Sequence, residues 1–162
     1  LVEQTYESRC LMETWGAGSF ENVIAQLWLI KLVDGSDVEP LVQALEAVKA
    51  AENEVPSPLA CKAIAAAELV ASLNPDSKVS LPDDISAWFS KKKLRPTQDL
   101  LSLARDAVER VGSESSQLRQ HWDNQPRGGK EWVRLVGQLK CELEYDAPRG
   151  LIGDKSWWRF WN

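Results

Sequence analysis

The sequence predicts an all-α fold, a single-domain bundle of about six to seven helices. Three observations carry that prediction. Apolar residues recur at three- and four-residue spacing over most of the chain, no stretch alternates apolar and polar residues as a half-buried strand does, and the β-branched residues never cluster. The length, 162 residues, is that of one ordinary domain, and 44% hydrophobic residues suffice for a sizeable core.

The elements follow in order. Val23, Ile24, Leu27, Ile30 and Val33 read as the apolar stripe of a first helix. Asp37 is placed to cap a second, which tolerates Pro40 in its first turn and lines one face with Leu41, Leu45 and Val48. Ser57 and Pro58 read as an N-cap and first-turn proline, opening an alanine-rich run to Leu73 that Asn74-Pro75 ends. A short helix after Pro82 carries Ile85, Trp88 and Phe89. Thr97 caps the next, with Leu100, Leu101, Ala104, Ala107, Val108 and Val111 facing inward, and two last helices cover residues 116–123 and 130–143. Residues 12–146 form this helical domain, 1–11 an N-terminal extension and 147–162 a Trp-rich C-terminal tail.

The net charge of −5 is unevenly spread. Residues 12–90 carry 12 acidic and 4 basic side chains, whereas residues 91–162 carry 10 acidic and 14 basic. The acidic half argues against nucleic acid as the main partner, because phosphate is repelled there, and suits a basic protein partner. Glu39, Glu46, Glu52 and Glu54 follow the second helix and its exit and are the candidate steering residues. In the terminal Trp-Trp-Arg-Phe-Trp-Asn, a helical turn brings Trp157, Trp158 and Trp161 to one side. Trp158 and Trp161 are candidate anchors for a partner, the alternative being that the tail docks in a groove of its own domain.

The longest apolar run, near Leu27 to Val33, is interrupted by Lys31 and too short to cross a bilayer. The first residues lack the basic start and apolar stretch of a signal peptide. Cys10, Cys61 and Cys141 are odd in number with no CxxC, so a cytoplasmic protein with free thiols is expected.

The stretch WGAGSFEN, Trp15 to Asn22, supplies two glycines of a dinucleotide fingerprint but has Glu21 in place of the third, and no strand precedes it. It reads instead as a structural corner, with Trp15 and Phe20 buried beneath the turn, Ser19 as a cap and Glu21 in the first helical turn. METWGAGSFENVIAQLWLIKL, followed by AIAAAELVASL, LPDDISAWF and LLSLARDAVERV, resembles the bacterial domain of unknown function 4259 over most of Met12 to about Leu143. The resemblance implies that Met12 is the family's start and residues 1–11 an extension. It departs from the family at Val23, Leu27 and Lys31, where further acids usually stand, and it implies no activity.

Four features remain as candidate chemistry. Glu68, among small apolar residues, can be desolvated and raised in pKa for acid–base work, or can be a structural acid. His121, the single histidine, has only Asp123 nearby, two residues on and off its face, so a surface or partly packed role is expected. QPRGGK resembles a phosphate loop superficially, but Glu131 stands where Ser or Thr meets magnesium, and Gly128-Gly129 reads as a helix junction. KKKLRP, Lys91 to Pro96, is a solvated basic connector. With no catalytic, cofactor or metal constellation, the expected function is a non-catalytic helical protein-binding module. Its most concrete form is an immunity or antitoxin-like protein masking a basic bacterial toxin. The alternative is a small metal-dependent hydrolase or nucleotide-processing enzyme using Glu68.

Overall fold

A computed structural model describes residue 14 and residues 16–145. Trp15, Cys10 and the tail with Trp158 and Trp161 lie outside the described residues, as do both expected domain boundaries. Seven helices account for most of what is described: α1 Val23–Asp34, α2 Glu39–Ala50, α3 Ser57–Ala71, α4 Asp83–Lys91, α5 Gln98–Val111, α6 Gln117–Asp123 and α7 Gly129–Glu142. Among the described residues, extended pairing is limited to two isolated bridges, Thr14 with Asn22 and Val55 with Ser116.

Helix α3 is the hub. Ala60, Ala63, Ala65, Ala66, Ala67 and Ala71 are all buried, together with Cys61, Ile64, Leu69 and Val70. A helix apolar on every side must be surrounded, and small side chains let neighbours come close. Accordingly α3 packs against α1, α2, α5, α6 and α7. Helices from the acidic and basic stretches therefore interleave: Lys49 of α2 pairs with Asp106 of α5 at 3.3 Å. The uneven charge along the chain is not a division into two lobes.

Helix α2 buries Leu41, Leu45 and Val48, and α5 buries all six of its expected positions, with the Thr97 hydroxyl accepting the Leu100 N–H at 3.2 Å as cap. Asp37 does not occupy the N-cap of α2: Val38 does, and Asp37 Oδ1 accepts the Glu39 N–H from one residue further out, at 3.0 Å. Two further expected features differ. Ser57 does not cap α3; it lies inside the first turn after Pro56, its hydroxyl has no partner, and its N–H donates to Gln117 Oε1. The capping geometry is lost because Val55 is held in a bridge, with its N–H donating to Ser115 O at 2.8 Å and its carbonyl accepting from Gln117.

The second difference is the facing of α1. Its buried residues are Ala25, Trp28, Leu29 and Leu32, while Leu27 and Ile30 are 54% and 57% exposed. The helix is apolar nearly all round, so its period offers two stripes, and packing against α3 and α4 selects the one with Trp28. The facing is testable by stability: Leu29→Ala should cost about 2–5 kcal/mol as a core cavity. Ile30→Ser should change unfolding free energy by no more than about 0.5 kcal/mol, as at an ordinary surface site. Chemical denaturation of the two variants decides it; the reverse order places Ile30 inward.

Candidate functional site

The turn before α1 is held by its own side chains. Asn22, not Ser19, is the N-cap, with its Oδ1 accepting the Ala25 N–H at 2.8 Å. Glu21 stands outside the helix and folds back, its carboxylate accepting the Gly18 N–H at 2.8 Å. A Cβ at Gly16 would lie 2.0 Å from the Glu21 carboxylate, so a side chain there would push Glu21 out of this position. Gln26 then donates to the Phe20 carbonyl at 2.8 Å. Phe20 is half-buried, packed against the core, rather than fully buried beneath the turn.

This arrangement frees Ser19 for a distant partner. Its hydroxyl donates to Glu68 Oε1 at 2.7 Å, 49 residues on, and so ties the corner to the hub helix. Glu68 is one of two charged residues on α3, the other being Lys62, and every neighbour from Ala63 to Ala67 is buried. Burial pushes the Glu68 carboxyl above the ordinary carboxylate range; the Ser19 hydrogen bond opposes this, and the negative charge of Glu142 adds to it.

Glu68 opens into a cleft of about 310 Å³. One wall is the corner from Gly18 to Glu21, a second is α7 with Leu135, Gln138, Leu139 and Glu142, and the third is the loop after α3 with Lys78, Val79 and Ser80. Phe20, Val79, Leu135 and Leu139 form the apolar part of the lining, while among the described residues Glu21, Glu68 and Glu142 outnumber the cation Lys78. A partly apolar cleft with a desolvated carboxylate in its lining suits a cationic group carried on an apolar stem. Among the described residues, no three metal-ligating side chains gather anywhere.

The other sequence candidates lie elsewhere. Glu39 is half-exposed in the first turn of α2 and Glu46 exposed two turns later on the same side; Glu52 is exposed in the loop beyond. Glu54 is exposed yet engaged, accepting from Gln117 and Gln120, both at 2.9 Å, and these bonds hold its carboxyl below the usual range. None of the four lines the cleft. His121 packs edge-on against Trp122, with ring centres 5.4 Å apart, in a second depression of about 390 Å³ that also takes in Gly16 and Gly128. Gly128 and Gly129 form the junction into α7: a Cβ on the first would stand 2.5 Å from the Trp122 ring, and on the second 2.4 Å from the Trp122 carbonyl oxygen. In the basic connector, Lys92 lies 5.0 Å from the Trp88 ring centre and donates to the Ser36 carbonyl, while Lys93 takes the left-handed backbone, φ 50°, that follows α4.

Three cleft residues escaped the sequence reading, Ser19 as the partner of Glu68, Glu142 as its like-charged neighbour and Lys78 as the cation of the lining. Contacts 49 and 74 residues apart carry no local signal; a helical period in 129–142 places Leu135, Leu139 and Glu142 on one side, but not what they face.

The raised Glu68 predicts a pH effect of definite sign. An acid whose folded pKa exceeds its unfolded value binds more protons when folded, so its contribution to stability is fully present below the ordinary value of 4.5 and is lost as pH rises through the raised one. Glu68→Gln keeps an acceptor for Ser19 and removes that loss. The variant should melt higher than the parent at neutral pH, and the difference should shrink toward zero below the ordinary carboxylate range. Thermal melts across that range measure it; equal melting temperatures at neutral pH would mean an unperturbed Glu68.

A family model described as a domain of unknown function (DUF4259) matches residues 13–134. That span holds Ser19, Glu68 and Lys78 but stops before Gln138, Leu139 and Glu142. No curated protein and no solved structure matches the chain. Among the described residues, no helix is long and apolar enough to cross a membrane.

Proposed function

The chain belongs to the family of the domain of unknown function DUF4259, whose description names no activity, and from the site itself we propose that it is a non-catalytic protein-binding module for a basic partner. The observation that carries this reading is the Glu68 cleft. It pairs a half-buried carboxylate and its like-charged neighbour with apolar walls, the chemistry that receives a lysine or arginine side chain.

Exposed acids away from the cleft serve encounter. Glu39, Glu46 and Glu52 provide attraction at a distance that salt screens, while affinity comes from the desolvated contact. Glu54 is committed to Gln117 and Gln120 and contributes less freely. Trp158 and Trp161 remain proposed anchors on the partner side. Cys61 and Cys141 are free thiols, which suits a cytoplasmic location. The most concrete form of this function is an immunity or antitoxin-like protein that covers a basic bacterial toxin.

The reading is tested by placing a photo-crosslinking residue at Gln138, on the cleft wall, in the native cell. A basic protein should be captured, and Glu68→Gln should reduce capture about tenfold, the effect of one charge-assisted hydrogen bond. Binding of the captured protein should slow as ionic strength rises. Metal-dependent turnover of a nucleotide or ester that vanishes in Glu68→Gln would overturn the reading in favour of a small hydrolase.

A further inference from the structure

The charged groups facing the cleft come from each element around it: Glu21 from the corner, Glu68 from α3, Lys78 from the following loop and Glu142 from α7. Their circumstances differ. Glu21 is occupied by the Gly18 N–H, and Glu68 takes one hydrogen bond from Ser19. Lys78 is exposed and makes no ion pair or hydrogen bond among the described residues. The cleft thus holds two carboxylates that repel each other and one uncommitted ammonium.

The backbone that carries Lys78 is fixed on both sides. Before it, Ser77 N–H donates to the Asn74 carbonyl and Asp76 N–H to the Asn74 side chain, each at 3.0 Å. After it, Val79 N–H donates to the Ser77 hydroxyl at 3.1 Å, and Val79 and Leu81 pack against the core. A segment hydrogen-bonded on both sides of Lys78 and carrying its four-carbon stem presents a charge that can swing without moving the chain.

We infer that Lys78 is the built-in counter-ion of this cleft: unpaired in the conformation described, its ammonium swings on the long stem to reach Glu68 and Glu142, and an incoming cationic side chain must compete with it. This rests on the cleft being the cation site proposed above. Lys78 then sets a threshold for entry. A weakly held or singly contacting cation gains little over the resident one, whereas a guanidinium that bridges both carboxylates, or a cation whose stem fills the apolar walls, outcompetes it.

The test uses the whole protein in three forms, the parent, Lys78→Met and Lys78→Arg. The Glu68 side-chain carboxyl is followed by carbon-detected NMR through a pH titration, and the amide of N-acetyl-arginine serves as the probe cation. Removing the resident charge should raise the Glu68 midpoint by about half a unit and tighten probe binding about two- to fivefold, the range of an exposed ion pair. Lys78→Arg keeps the resident charge and should leave the Glu68 midpoint and the probe affinity at or below those of the parent, because a guanidinium holds the carboxylates at least as well. A Glu68 midpoint unchanged in Lys78→Met overturns the inference, because Lys78 then never reaches the carboxylate. A shifted midpoint with equal probe affinity in parent and variant also overturns it, because nothing is displaced. A shifted midpoint with no probe binding in any form keeps Lys78 as counter-ion and instead removes the cation-site reading on which displacement rests.

Discussion

The packing of α3 on almost all sides is the constraint from which the rest of the structure follows. Its small side chains let five other helices close around it, and few positions on it retain any route to water. A carboxylate on such a helix is tolerated only where neighbours leave an opening and a hydrogen-bond donor, since burying an unpaired charge is costly. For Glu68 the opening is the cleft and the donor is Ser19. The functional reading is thus a consequence of the packing: the same alanines that build the core desolvate the acid.

The corner before α1 has its own role in that geometry. Glu21 closes on Gly18, Asn22 caps the helix, and Gln26 holds the Phe20 carbonyl, so each polar side chain from Glu21 to Gln26 fixes the loop locally. Ser19 is left pointing across the molecule. Between α2, α5 and α6 a second polar latch works similarly: Arg110 donates to the Ala51 carbonyl, and Glu54 is held by Gln117 and Gln120 beside the Val55 bridge. That latch explains why one of four acids along a superficially uniform run has a structural task. Exposure alone does not make a carboxylate available to a partner.

The elements themselves were legible because they rest on local physics. Thr97 accepts the Leu100 N–H, Pro40 stands in a first turn, and the period of α5 buries all six residues it points to, since caps and amphipathic spacing act within one or two turns. Glu68 was legible as a candidate for a related reason: a lone acid in an alanine-rich run announces desolvation. The Gly128-Gly129 junction was legible as a junction, although its need for glycine comes from Trp122 lying under it.

By itself the sequence determined the helical class, the approximate span of each helix and the one acid set among alanines, while the caps of α1, α2 and α3 fell on other residues than expected. The tertiary structure decided the choices that local rules leave degenerate. Helix α1 carries apolar residues around its whole circumference, and only contact with α3 and α4 turned Trp28 and Leu29 inward and left Leu27 and Ile30 in solvent. Ser19 had two possible tasks, capping or reaching Glu68, and the position of α3 chose the second. Glu142 and Lys78 acquire meaning only because α7 and the loop after α3 meet at the same cleft. Periodicity is a property of neighbours along the chain, whereas the field at Glu68 is a sum over charges brought near it by packing, and no local pattern records that sum.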